Sequence, residues 1–323
     1  MIRILCGIFV SLFVATGTQA QTWPDRPVKI IVGFPAGGGS DAMARVLADR
    51  LGNAFSQRFI VENRPGAGGG MAAEGVVRSE PDGYTLLVAS PAEIVINQNV
   101  YKSVSYDALK DLAPITLIAW TPLIIAVHPD LKVSSPAEFV TLLRSKPGQL
   151  NYSTPGAGSG HHLAGEYLKK LANVEMQHVA YRGAAPAVQD AVAGHVPITI
   201  SGLPPVVELI KADKLRAVAV TSAKRSALFP NTIALAELGP EYKDIDITNW
   251  FGFFAPASVS EDVRKRLNLA AVAALKETTV IARIAEQGAE AVGNSPEEFA
   301  AFIRAEAEKY ARIAKATGMR ANP

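Results

Sequence analysis

The chain has 323 residues, 49% of them hydrophobic and 19% charged, with a formal net charge of +2. That length suffices for two domains of ordinary size, each burying most of its apolar surface. Dispersed charges close to neutrality leave no footprint for nucleic acid or an anionic membrane surface.

Met1 and Arg3 form a short positive start, followed by the apolar stretch Ile4 to Val14. The chain then turns small and polar through Ala15, Thr16, Gly17, Thr18, Gln19 and Ala20. This order predicts a secretory leader over residues 1–20, cleaved after Ala20, and places the mature protein in the periplasm. The apolar stretch falls short of the roughly 20 residues that a membrane-spanning helix needs. The single cysteine, Cys6, lies inside the leader, so the mature chain carries no thiol or disulfide. Removal of Arg3 takes the net charge from +2 to +1 (2 − 1).

Downstream, short runs rich in Val and Ile alternate with helical patterns. Strands are expected at Val28–Val32, Phe59–Val61, Tyr84–Ala89, Leu123–Val127, Met176–Ala180, Val196–Ile200, Leu215–Val220 and Trp250–Ala255, as in sheets covered on both faces. Ser135-Pro136-Ala137-Glu138 and Ser295-Pro296-Glu297-Glu298 both carry the capping-box pattern, with proline at the first helical position. Phe299, Phe302, Ile303, Tyr310 and Ile313 form the apolar stripe of a last, docked helix. The fold class is therefore α/β. Trp120-Thr121-Pro122 and Asp246-Ile247-Thr248-Asn249 are candidate crossings between domains. They divide the mature chain into lobe 1 (residues 21–122 plus 248–323) and lobe 2 (123–247), with a ligand cleft at the hinge.

Three glycine-rich loops precede helices: Gly33 to Asp41, Asn63 to Gly70, and Ser153 to Gly160. Each offers free backbone N–H groups at the positive end of a helix dipole, and so can bind an anion without a cationic side chain. His161 and His162 begin the third helix but point about 100° apart, so they read as a helix-start donor and a packed imidazole. The five histidines show no metal-ligand spacing, and neither a metal nor a cofactor is expected.

A rival pattern overlaps the first loop. Gly37-Gly38-Gly39-Ser40-Asp41-Ala42 fits a dinucleotide fingerprint, with Glu62 near the position of a ribose-binding acid. Phe34, Pro35 and Ala36 nevertheless separate the strand from the glycines, and the leader exports the chain away from free nicotinamide cofactor. Gly156-Ala157-Gly158-Ser159-Gly160 does not centre its serine as a nucleophile elbow does. A binding protein, not an enzyme, is the expectation.

Several runs also carry a family resemblance. Val32 to Asp41 followed by Ala44-Arg45, then Val61 to Gly69 leading to Pro81-Asp82-Gly83-Tyr84, resemble signatures of the Bug-type, TctC-like solute receptors of tripartite tricarboxylate transporters. Asn151-Tyr152-Ser153 through Gly165-Glu166, Val179 to Gly183 with Pro186 and Asp190, and Trp250-Phe251-Gly252 resemble further ones. The resemblance implies a two-lobed Venus-flytrap fold with a hinge of crossing strands. It also implies a monomer that closes on a small carboxylated solute, such as an amino acid, a di- or tricarboxylate or an aromatic acid. The solute would pass to membrane permease subunits or, alternatively, feed a sensor kinase.

Carried over motif by motif, the resemblance implies contacts from Phe34, Gly38, Gly39, Asp41 and Ser90 on lobe 1. On lobe 2 it implies Ser153, Thr154, Gly158, Ser159, Gly183, Ala184 and Asp190. Asp41 and Asp190 each also fit a helix-start role, and Trp250 fits a hinge or core aromatic. The chain departs from the resemblance at Gly70-Met71-Ala72 and at Ser201-Gly202-Leu203-Pro204. The second departure removes bulk and charge from the distal half of the pocket.

Overall fold

A computed structural model describes residues 23–227 and 229–321. The expected leader, its cleavage point and Cys6 lie outside the described residues. Strand β1 (Val28–Val32) pairs in parallel with β2 (Phe59–Asn63) on one side and β3 (Thr85–Ala89) on the other. The crossovers are α1 (Gly39–Phe55) and α2 (Gly70–Val77). In α1, Met43, Leu47 and Leu51 are buried at four-residue intervals, the stripe a helix needs to cover a sheet. Short helical turns α3 (Asn97–Val100) and α4 (Ala108–Asp111) then lead into β4.

Strand β4 (Leu112–Val127) is far longer than the expected strand at Leu123. Pro114 and Pro122 disguise its first part, because proline cannot donate to a strand ladder. Register shifts at Pro114/Thr116 and Leu117/Ala119 accommodate the irregularity. That first part pairs with β9 (Thr248–Pro256), which also joins β3, so the first sheet runs β2-β1-β3-β9-β4.

The second part, Leu123 to Val127, belongs to another sheet. It pairs with β7 (Ile198–Gly202) and β8 (Arg216–Val220), and β7 leads on to β5 (Asn151–Thr154) and β6 (Gln177–Ala180). Helices α5 (Pro136–Ser145), α6 (Gly160–Ala172), α7 (Ala184–Val192) and α8 (Val207–Lys211) accompany this sheet. After β9, α9 (Glu261–Leu275), α10 (Thr278–Glu286) and α11 (Pro296–Thr317) complete the chain, with the two-residue β10 (Glu290–Ala291) against β4. The result is an α/β protein of two lobes. No described helix is long and apolar enough to cross a membrane.

Ser295 and Glu298 form the expected reciprocal capping box. At α5 only half of it forms. Ser135 accepts from the Glu138 N–H, but the Glu138 carboxylate reaches back to the N–H and hydroxyl of Ser134 instead. Trp250 is a core residue. It is fully buried, edge-on to Phe299 and Phe302, and its Nε1 donates to Glu306 Oε2 at 2.9 Å. A buried indole N–H needs such a partner.

Candidate functional site

The first glycine loop leaves β1 and enters α1 under tight local control. Asn63 Nδ2 donates to the Phe34 carbonyl at 2.9 Å and to Asp41 Oδ1 at 3.0 Å. Gly37 N and Arg45 Nε both donate to Asp41 Oδ2, at 3.0 and 2.9 Å. Burial would push the Asp41 carboxyl up, but hydrogen bonds from Arg45, Gly37 and Asn63 outweigh it and hold the pKa below the ordinary range. Asp41 thus organises the loop and faces into it. Gly39 is required by contact, since a Cβ there would stand 2.6 Å from Phe251 Cζ.

Ser90 follows β3. Its N–H and hydroxyl both donate to Glu93 Oε2, at 3.0 and 2.6 Å. Glu93 is fully buried, its Oε1 has no partner, and burial raises its pKa to about 7 against the pull of the Ser90 bonds. The second glycine loop lies over this carboxyl. A Cβ on Gly69, at φ +82°, would fall 2.5 Å from Glu93 Oε1. Asn97 Nδ2 holds the same loop through the carbonyls of Ala67 and Gly68. The second loop is therefore a structural cover and lines no part of the cavity described below.

The third loop joins β5 to α6. Ser159 caps α6, accepting from His162 N at 3.2 Å and donating to the Gly156 carbonyl at 2.7 Å. Beneath it, Ser153 donates to the carbonyls of Ala187 and Ile198, and Thr154 Oγ1 lies 2.7 Å from His178 Nε2. His178 stacks on His162 with ring centroids 3.7 Å apart. Burial lowers the pKa of His162 to about 4 and of His178 to about 3, with mutual repulsion adding to the second. Gly158, at φ +77°, packs against the ring of Tyr101, whose hydroxyl donates to the Ala157 carbonyl at 3.3 Å.

A cavity with about 960 Å³ of atom-free space, its open mouth included, lies between these loops. Phe34, Gly38, Gly39 and Ser90, from the loops after β1 and β3, line it together with Ser159, Gly183 and Ala184, from the loops before α6 and α7. Three helix N-termini, those of α1, α6 and α7, open onto this one space. The other expected contacts lie elsewhere. Asp41, Ser153, Thr154 and Gly158 sit in or under the loops as described. The Asp190 carboxylate is engaged by the Tyr181 hydroxyl and lies 3.5 Å from His195 Nδ1, away from the lining.

Gly202 and Pro204, from the segment expected at the distal half of the pocket, line the cavity; sequence reasoning missed Met43, Thr121, His161, Pro205, Asn249, Phe251 and Gln287, which line it too. Thr121 and Asn249 pair across β4 and β9, so the proposed crossings were a pointer to them. Gln287, at the end of α10, carries no local signal. His161 is kept neutral at pH 7, because burial pulls its pKa to about 4, and its Nδ1 has no partner. Among the described residues no acidic side chain lines the cavity, and its single full cation is Arg182, exposed beside Gly183. Such a space favours an anion through N–H groups and helix dipoles.

Among solved structures, R. palustris Rpa4515 with adipate is 33% identical, with a TM-score of 0.88 over 92% of this chain and 99% of that one. MatC from Rhodopseudomonas palustris with bound malate is 26% identical, with a TM-score of 0.84 over 90% and 99%. Protein BugT of Bordetella pertussis is 34% identical over 322 residues, covering 98% of both chains. The family model described as the tripartite tricarboxylate transporter family receptor matches residues 43–319. The chain belongs to the tripartite tricarboxylate transporter family receptors.

Proposed function

We propose that this protein captures a small carboxylated solute between its lobes in the periplasm and delivers it to the membrane permease subunits of a tripartite tricarboxylate transporter. The observation that carries the reading is the convergence of three helix N-termini from two separate chain segments on one cavity without an acid. Family membership and the dicarboxylates held by two relatives support it. The leader-like N-terminus supports export.

On this reading Phe34, Gly38, Gly39, Ser90, Ser159, Gly183 and Ala184 face the solute. Asp41, Ser153, Thr154, Gly158 and Asp190 hold the loops that do so. Lobe 1 comprises residues 21–122 with 248–323 and lobe 2 residues 123–247, hinged where β4 and β9 pair Thr121 with Asn249. Binding without turnover is the expected chemistry, in keeping with the receptor family to which the chain belongs. A thermal-shift screen of the mature protein against carboxylates tests the reading. A ligand at 100 times its dissociation constant adds about 2.7 kcal/mol, and no stabilisation by any carboxylate would remove the proposal.

A further inference from the structure

We propose that Glu93 is a positioning residue for the solute: it backs the cavity as a neutral acid, so that capture of a carboxylate draws one proton from the solvent onto Glu93. This role rests on the carboxylate-receptor reading above.

The Glu93 carboxyl is one hydrogen bond removed from the cavity lining. Ser90 lines the cavity, and its hydroxyl and N–H both donate to Glu93 Oε2, at 2.6 and 3.0 Å. The other oxygen, Oε1, is packed under the glycine loops. A Cβ on Gly33, where the first loop leaves β1, would stand 2.7 Å from it. Oε1 has no hydrogen-bond partner, and Glu93 is fully buried.

No cation offsets a charge at this place. The helical turn Ala92–Ile96, which carries Glu93, packs against β3, α2, α3, α4, α11 and the second glycine loop. The charged groups on these elements are occupied with one another. Arg64 pairs with Glu62, Arg78 with Glu74, Lys110 with Asp107, and Lys309 with Glu306. The Tyr106 hydroxyl donates to the main-chain carbonyl of Glu93 at 2.7 Å, and the Tyr101 hydroxyl to the Ala157 carbonyl. Among the described residues no Lys, Arg or His pairs with the Glu93 carboxyl.

An ionised Glu93 and a carboxylate bound against Ser90 would be like charges on either side of one side chain. Two carboxylates so placed do not both ionise readily, and one of them holds a proton. Burial already raises the Glu93 pKa to about 7 without a solute, and a second negative charge pushes it further up. The anion and one proton enter together, and the net charge of the protein stays as it was. Affinity is therefore highest below about pH 7 and falls as pH rises above it, where Glu93 must first regain its proton. His161, with a pKa of about 4, stays neutral near pH 7, and a guanidinium such as Arg182 does not titrate there.

The test is calorimetric titration of the mature protein from pH 6.5 to 8.5, after removal of co-purified solute by unfolding and refolding. The probe is adipate or malate, whichever raises the melting temperature more; if neither does, it is the strongest binder of the carboxylate screen. Affinity should fall by about fivefold or more across this range. Titrations at pH 7.5 in two buffers of different ionisation heat should show about half a proton or more taken up per solute. Glu93→Gln should give a level profile and no uptake. Ser90→Ala removes a bond that favours the ionised form, so the midpoint of the fall should move to higher pH.

A wild-type affinity that stays level, with no proton taken up, overturns the role of Glu93 and leaves the receptor reading standing. A fall that Glu93→Gln reproduces belongs to another group and overturns it as well. Should Glu93→Gln not fold, Ser90→Ala decides, and a midpoint that stays or moves down is the contrary result. If no carboxylate binds at any pH, the receptor reading falls and the role of Glu93 with it.

Discussion

Pro35 and Gly183 meet across the mouth of the cleft: a Cβ on Gly183 would stand 3.5 Å from Pro35 Cγ. Gly183 sits at φ +115°, a conformation that side-chain-bearing residues avoid, and its N–H donates to the Pro155 carbonyl at 2.9 Å. One loop from each side is thereby held edge to edge over the cavity.

Gly183→Val should weaken solute binding more than it weakens the fold. The strain of a branched residue at this φ is about 1–3 kcal/mol, and it falls on the loop that closes the cleft. Calorimetry should show a loss of about tenfold or more in affinity. Unchanged affinity in a folded variant would mean that the contact is incidental.

Ser159→Ala should act mainly through stability, since the hydroxyl is spent on His162 N and the Gly156 carbonyl. Loss of this N-cap should cost about 1 kcal/mol in a urea melt. Arg182→Ala should change binding by less than about 1 kcal/mol at physiological salt, as expected for a screened surface charge. If only the arginine variant loses binding, the neutral-donor account of the anion is wrong.

The Glu93 carboxyl predicts an unusual pH dependence. Its folded pKa, about 7, lies above the ordinary 4.5, so the folded state prefers the protonated form. The stabilisation from this group is complete below pH 4.5 and fades as pH rises through 7, by up to about 3 kcal/mol in all. Glu93→Gln should flatten that stretch of the stability profile. Parallel profiles for both proteins in urea melts from pH 5 to 8 would contradict it.

His162 and His178 act in the opposite sense. Their folded pKa values, about 4 and about 3, lie below the ordinary 6.5, so the neutral rings favour the fold. The stabilisation is complete above pH 6.5 and declines as pH falls toward those values, by up to about 1.4 kcal/mol per pH unit and per ring. His178→Gln should lessen the acid sensitivity between pH 6.5 and 4. Melting temperatures tracked against pH would show whether the slope changes.

What the sequence by itself determined was whatever depends on near neighbours in the chain. β1 emerged with its observed bounds because Val28–Val32 is a continuous apolar run, and α11 because Ser295, Pro296 and Glu298 cap it locally. The first and third glycine loops were readable as donor-rich helix starts for the same reason. Other decisions belonged to the tertiary structure alone. The second loop has the same composition, yet it closes over Glu93, a group more than twenty residues away in the chain, and is turned from the cleft. Asp190 reads as a helix-start acid, yet Tyr181 and His195 draw it off the lining. Asn249 joins the cavity because β4 and β9 pair it with Thr121, and Gln287 because the Thr121 hydroxyl holds the neighbouring Gly288 carbonyl. Propensity and capping act over a few residues, whereas the face a loop presents is chosen by whichever remote side chains pack behind it.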